Sequence, residues 1–206
     1  MVEKWRVEAS RVTFEDQWLK VRTDRCVDRS GRVIDPYHVL EFPTWINVVA
    51  VTTDRRVVLA REYRHGVGAI VTGLPCGIME RDDPDVEAVA RRELEEETGY
   101  GGGEFVSLNI SYANPANQHN AVWLILILGV ETVGPQRLDP NEEIEVVLED
   151  FVGFMARFWR QNVGLQVSHV AAIHEAARYL MAPGRPEWDD LRAALRAEFA
   201  RAIEQA

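Results

Sequence analysis

The segment Arg92-Glu-Leu-Glu-Glu-Glu-Thr-Gly-Tyr100 crowds four carboxylates into five positions. On a helix, residues three and four apart share a face. Glu93, Glu96 and Glu97 therefore converge on one edge, and Glu95 points elsewhere. Carboxylates so placed repel one another, and a hard divalent cation removes that cost. Mg²⁺, with Mn²⁺ as a substitute, takes carboxylate oxygens and keeps open positions for water and a substrate phosphate. The competing reading is a solvated acidic face with Arg91 and Arg92 as partners.

Acid is concentrated elsewhere too. The 206-residue chain has a net charge of −10. Residues 80–97 hold nine acids against three arginines, and residues 139–150 hold six acids and no base, so the remainder is slightly basic. An acidic protein is a poor partner for nucleic acid or an anionic membrane. The N-terminus has no apolar core of a signal peptide. The longest apolar run, Ala121 to Leu128, is too short to span a bilayer and fits a buried strand. The two cysteines, Cys26 and Cys76, have no metal-ligand spacing. These absences lead to the expectation of a cytoplasmic protein. The five histidines also lack metal spacing, and His169 and His174 read as helix-surface or partly buried residues, not ligands. Gly101-Gly-Gly103 follows a helix and precedes a strand, so it cannot cradle phosphate at a helix N-terminus. No P-loop and no Gly-x-Ser-x-Gly occurs.

The elements that must position these residues follow from periodicity and breakers. Residues 10–42 read as short strands, with Ser30-Gly31 as a turn between Cys26–Asp28 and Val33–Leu40. Ile46–Thr52 and Val57–Arg61 form a hairpin across Asp54-Arg55-Arg56. Gly66, Gly68, Gly73, Pro75 and Gly77 mark a loop-rich stretch. A helix is predicted from Pro84 or Asp85 to Thr98, with acids in its first turn and Gly99 as its stop. Phe105–Tyr112 and Ala121–Val130 read as strands split by the amide-rich loop 113–120, and Ile144–Leu148 as another strand. Helices are predicted over 150–162, 168–181 and 187–204. The last bears an apolar stripe of Trp188, Leu191, Leu195, Phe199 and Ile203. This order of elements suits an α+β architecture.

Gly77 to Tyr100 resembles the Nudix box. That family pattern runs Gly, five residues, Glu, seven residues, then Arg-Glu-U-x-Glu-Glu-x-Gly-U, with U bulky and apolar. Gly77, Arg92, Glu93, Leu94, Glu96, Glu97, Gly99 and Tyr100 match. Asp83 stands where the pattern has its first Glu, and eight residues separate it from Arg92, a one-residue insertion before the helix; Glu80 is the alternative acid. Arg61–Gly68, Leu74–Gly77 and the region 18–42 resemble the ADP-ribose pyrophosphatase branch.

The resemblance implies a Nudix fold, a mixed β-sheet sandwiched between helices. It divides the chain into an N-terminal β-strand arm (1–42), a hydrolase domain (43–182) and a C-terminal amphipathic helix (183–206). It also implies a homodimer through swapped N-terminal strands. The implied reaction is Mg²⁺-dependent hydrolysis of the pyrophosphate bond of ADP-ribose or a related nucleoside diphosphate sugar. The alternatives are another nucleotide substrate or a non-catalytic Nudix-fold binding module. Glu93, Glu96, Glu97 and the carbonyl of Cys76 would be metal ligands, and Arg92 would orient the helix carboxylates. Glu142 would be a further ligand or general base, with Glu143 as the alternative. Gly77 borders the substrate. Arg64 grips phosphate, unless it is a surface salt bridge. Trp18 and Tyr37 stack the base, unless they belong to the core. Trp45 and Trp123 are expected in the core. The loop amides Asn114, Asn117, Gln118 and Asn120 read either a sugar or base edge, or make turns.

Overall fold

The computed structural model describes residues 2–160 and 164–205, and the chain divides into two units. The first comprises the chain up to Thr44 together with Ser111–Val122; the second comprises Trp45–Ile110 and the chain from Trp123 onward.

The first unit is an antiparallel sheet in the order β1 (Arg6–Glu15), β2 (Lys20–Val27), β3 (Val33–Glu41). Its turns are built by short polar side chains. Asp16 accepts from the N–H groups of Trp18 and Leu19, both at 2.8 Å. Asp28 accepts from those of Ser30 and Arg32, and Gly31 sits at φ 85°. This is the Asx-turn chemistry expected around Ser30-Gly31. β1 begins at Arg6, earlier than the pattern suggested, because every one of its residues is exposed and its apolar pairs Val7/Ala9 and Val12/Phe14 are out of phase with each other.

The second unit holds β4 (Trp45–Thr52), β5 (Arg56–Arg64), β6 (Ala69–Gly73), β7 (Cys76–Ile78), α1 (Val86–Thr98) and β8 (Tyr100–Gly101). β9 (Glu104–Tyr112) and β10 (Ala121–Thr132) follow, and the loop joining them belongs to the first unit. β11 (Ile144–Asp150), α2 (Phe151–Arg160), α3 (Val167–Met181) and α4 (Asp189–Glu204) complete it. Positions 161 and 162 of the predicted second helix lie outside the described residues. The sheet runs β11-β5-β4-β10-β8, with β6 paired to β5, β7 to β4 and β9 to β10. The glycine-punctuated stretch 66–77 thus contains two strands, both too short and too interrupted to show a period of two.

β4 is buried from Ile46 to Thr52, so it reads as an apolar run and not as an alternation. Ile46, Val48 and Ala50 meet Val89, Ala90 and Leu94 of α1, with Ile125, Ile127 and Val130 of β10 closing the cluster. Trp123 is half-buried against it, and Trp45 is half-buried at the start of β4. The opposite face of β4 receives α3. Two covered faces hold the sheet rigid, and that fixes the strand ends from which the site is built.

α1 starts and stops as its sequence dictates. Asp85 accepts from the N–H of Ala88 at 2.8 Å, an N-cap contributing about 1 kcal/mol. Gly99 closes the helix at φ 72°. The stripe on α4 finds its surface on α2 and α3: Trp188, Leu191 and Leu195 are buried, and Phe199 packs edge-on to Trp159. Among the described residues no helix is long and apolar enough to cross a membrane.

Candidate active site

The acidic edge of α1 faces β7. Pairing of β7 with β4 sets Cys76 opposite Asn47 and Gly77 opposite Ile46. The N–H of Cys76 then donates to Glu97 Oε2 at 3.0 Å. Gly77 lies against Glu93 so closely that a Cβ there would stand 2.0 Å from Glu93 Cδ and 2.2 Å from Oε1. Glycine at this position is a demand of the neighbouring carboxylate, not of a turn.

Arg92 braces the edge. Its Nη1 lies 3.0 Å from Glu93 Oε1 and 3.1 Å from Glu96 Oε2, and its Nη2 lies 3.4 Å from Asp83 Oδ2. Asp83 in turn accepts from the N–H of Glu80 at 2.7 Å. The loop with the extra residue therefore closes on itself and hands one carboxylate to Arg92. Glu95 turns away and pairs with Arg137.

Burial sets the electrostatics. Glu97 is 6% exposed, and loss of water pushes its carboxyl up to about 9 against the pull of the Cys76 N–H, with Glu93, Glu62 and Glu142 adding repulsion. Burial likewise pushes Glu93 to about 7; Arg92 opposes the shift, and Glu96 and Glu142 add to it. Glu62 is also raised, by burial first, with Arg64 lowering it and Glu142 raising it. The thiol of half-buried Cys76 is pushed to about 12, by desolvation first and then by Glu97, so it stays protonated.

Glu142 reaches this group because its loop is tied to α1. Gln136 donates to the carbonyls of Glu97 (2.7 Å) and Ile144 (3.0 Å), and the N–H of Arg137 donates to the carbonyl of Glu96. β11 then sets Ile144 beside Glu62. Glu142 closes a local turn, accepting from the N–H of Asp139 at 3.1 Å. Glu62, Glu142 and Glu143 share a cleft of about 810 Å³ with Arg64 and His169. Arg64 Nη2 lies 2.6 Å from Glu62 Oε1 and 3.6 Å from Cys76 Sγ.

Glu62 drew no role from the sequence, because a lone acid on a strand carries no spacing signal; only the pairing of β5 with β11 brings it near Glu142. His169 is a correction. Read as helix surface or partly buried, it is 3% exposed, with Nδ1 accepting from the N–H of Leu74 at 3.2 Å. Its ring packs where Gly73 leaves room for it. His174 is exposed, as expected, and meets Phe158 edge-on.

Trp18 and Tyr37 lie in the first unit. Trp18 is 72% exposed; Tyr37 meets Trp5 edge-on, and its hydroxyl donates to the carbonyl of Ala116. The amide-rich loop makes turns at Asn114, whose carbonyl accepts from Asn117 and Gln118. Asn120 is buried, with neither amide atom partnered among the described residues.

Among the described residues no three His, Cys, Asp or Glu side chains stand in a ready metal cage. Instead the Arg92 guanidinium bridges Glu93 and Glu96. The donor set nonetheless fits a hard divalent cation: buried and half-buried carboxylate oxygens, mutually repelling, beside a backbone too crowded for a Cβ.

Burial, and then Arg64, pushes His169 down to about 4 from 6.5. Between those values the unfolded chain binds a proton that the folded chain does not. Stability is therefore full above pH 6.5 and falls as pH drops toward 4. His169→Asn is expected to flatten that slope by on the order of 3 kcal/mol across the window. Urea unfolding of both chains at pH 6.5 and pH 4 measures it, and equal slopes would contradict a neutral buried ring.

A layered sheet with a glycine-apposed carboxylate helix defines a Nudix-type hydrolase. The NUDIX domain family matches residues 43–162, more than half of the chain, and the chain belongs to that family. The family described as the nucleoside diphosphate sugar hydrolase N-terminal domain matches residues 5–40. The chain is 28% identical over 139 residues to the ADP-ribose pyrophosphatase of Bacillus subtilis (strain 168), covering 59% of this chain and 75% of that protein. It is 36% identical over 103 residues to the ADP-sugar pyrophosphatase of Mus musculus, covering 48% and 44%. A crystal structure of an ADP compounds hydrolase superposes with a TM-score of 0.77 over 87% of this chain and 96% of that one, at 18% identity, a likeness of fold.

Proposed function

We propose that the chain hydrolyses the pyrophosphate bond of a nucleoside diphosphate sugar, ADP-ribose first, to a nucleoside monophosphate and a sugar phosphate. One arrangement carries this reading: buried Glu97 accepts from the Cys76 N–H, half-buried Glu93 lies against Gly77, and Arg64, 3.6 Å from Cys76 Sγ, lines a cleft with Glu62 and Glu142. The names of the relatives and the match at residues 5–40 support the choice of substrate class.

Glu93, Glu96, Glu97 and the Cys76 carbonyl would hold Mg²⁺, or Mn²⁺ in its place, in a family that generally uses divalent ions. Bound there, the cation supplies charge for the developing phosphate oxygens and lowers the pKa of water. The remaining work falls to this chain's own groups. Arg92 holds Glu93 and Glu96 in register, and Arg64 grips a phosphate oxygen. Glu142, or Glu143 as its alternative, takes the proton of the attacking water as the new P–O bond forms. The bridging P–O bond breaks, and the departing phosphate carries off its electron pair. Trp18 and Tyr37 stack the base in a homodimer joined through the exposed N-terminal strands. The acidic surface suits a cytoplasmic enzyme that leaves nucleic acid alone.

The test is release of products from a panel: ADP-ribose, a GDP-sugar, a dinucleoside polyphosphate and a nucleoside triphosphate, each with Mg²⁺, Mn²⁺ or EDTA. AMP and ribose 5-phosphate from ADP-ribose, absent in EDTA, is the expected result. No turnover of any would leave a binding module. Glu142→Gln is expected to lower kcat at least about tenfold with the melting temperature unchanged. Steady-state kinetics checks this, and unchanged turnover would remove Glu142 from the site.

A further inference from the structure

Among the described residues that line the cleft, His169 is the one strongly buried ionisable group to which the mechanism above gives no work. Its Nδ1 is spent as the acceptor of the Leu74 N–H, so the neutral ring must carry its proton on Nε2. That Nε2 is buried and has no partner among the described residues. A buried donor left unpaired is costly, and the site is otherwise closely fitted: Gly73 has no Cβ, and one placed there would lie 2.7 Å from Nδ1. The ring forms part of the cleft wall together with Arg64, Glu62 and Glu142. The charge of Arg64 is felt at the ring, so a fixed cation and a fixed neutral donor serve the same end of the cleft.

We infer that His169 is a substrate-binding residue whose Nε2–H donates to an anionic phosphate oxygen of the nucleoside diphosphate sugar, beside the guanidinium of Arg64. The inference rests on the function proposed above. A neutral donor suits this place. It adds no cation to compete with a divalent metal, and its pairing is realised only when an anionic oxygen arrives. The second hydrogen bond, to Leu74, fixes both tautomer and ring plane, so the donor is pre-oriented.

Two substitutions separate this role from a structural one. His169→Asn can keep an acceptor for the Leu74 N–H but loses the far donor. His169→Gln can place an amide donor near the Nε2 position but gives up the acceptor. For ADP-ribose with Mg²⁺, His169→Asn is expected to raise KM about tenfold with kcat within about threefold, and His169→Gln to recover most of that KM despite a lower melting temperature. The opposite order, with His169→Asn like the parent, would overturn the inference and make the ring a strut for the β6–β7 connection. A parent chain that cleaves nothing fails the proposed hydrolysis instead. Calorimetric binding of ADP-ribose to the three chains then decides: weaker binding by His169→Asn alone sustains the inference, and equal or absent binding overturns it.

Discussion

Glu97→Gln is expected to lower kcat/KM at least about a hundredfold while leaving the metal-free chain as stable as the parent, or more so. Loss of a metal ligand accounts for the first effect. The second follows from the carboxyl's surroundings. Glu97 is pushed to about 9, so without a cation it holds its proton at neutral pH. Glutamine has the shape of the protonated acid, and its carbonyl still accepts from the Cys76 N–H. What the amide cannot supply is negative charge to a cation. Melting curves in EDTA and in Mg²⁺ separate the two effects: the parent gains stability from Mg²⁺ and the variant does not. An active Glu97→Gln would mean that the helix carboxylates are an acidic face and nothing more.

Gly77→Ala is expected to lower kcat about a hundredfold, for a reason that no backbone argument supplies. The residue sits outside the left-handed region, so alanine is free to adopt its conformation. The collision is with Glu93, whose Cδ lies 2.0 Å from where the new methyl would stand. The carboxylate must swing away from its place beside Arg92, and the strand need not move. A double-mutant cycle tests this. On a Glu93→Gln background the same alanine should cost little further activity, because the group it displaces has already lost its charge. Full additivity would show that Gly77 matters for something other than Glu93.

The helix was legible from the acids at its start and from Gly99 as its stop; Asp85, expected within its first turn, is instead its cap. The hidden strands were not legible, since β6 and β7 span five and three residues between glycines and a proline and show no period. The same loss concealed Glu62. Beyond Arg64 on its own strand, the charges it meets are Glu97 of α1 and Glu142 in the loop before β11, both far away in sequence. His169 was misplaced because a polar residue next to Ser168 at the start of an alanine-rich helix looks like its solvent face; Gly73, lacking a Cβ, makes room for it. The apolar stripe predicted for α4 meets α2 and α3 of the same unit through Trp188, Leu191 and Leu195, while Ile203 at its far end stays exposed.

Titration of Mn²⁺ into the chain, followed by its electron paramagnetic resonance signal, tests most directly whether Glu93, Glu96 and Glu97 hold a divalent cation. The parent is expected to remove free Mn²⁺ signal, Mg²⁺ to restore it by competition, and Glu97→Gln to weaken Mn²⁺ binding at least about tenfold. Equal Mn²⁺ binding by parent and variant would contradict that assignment.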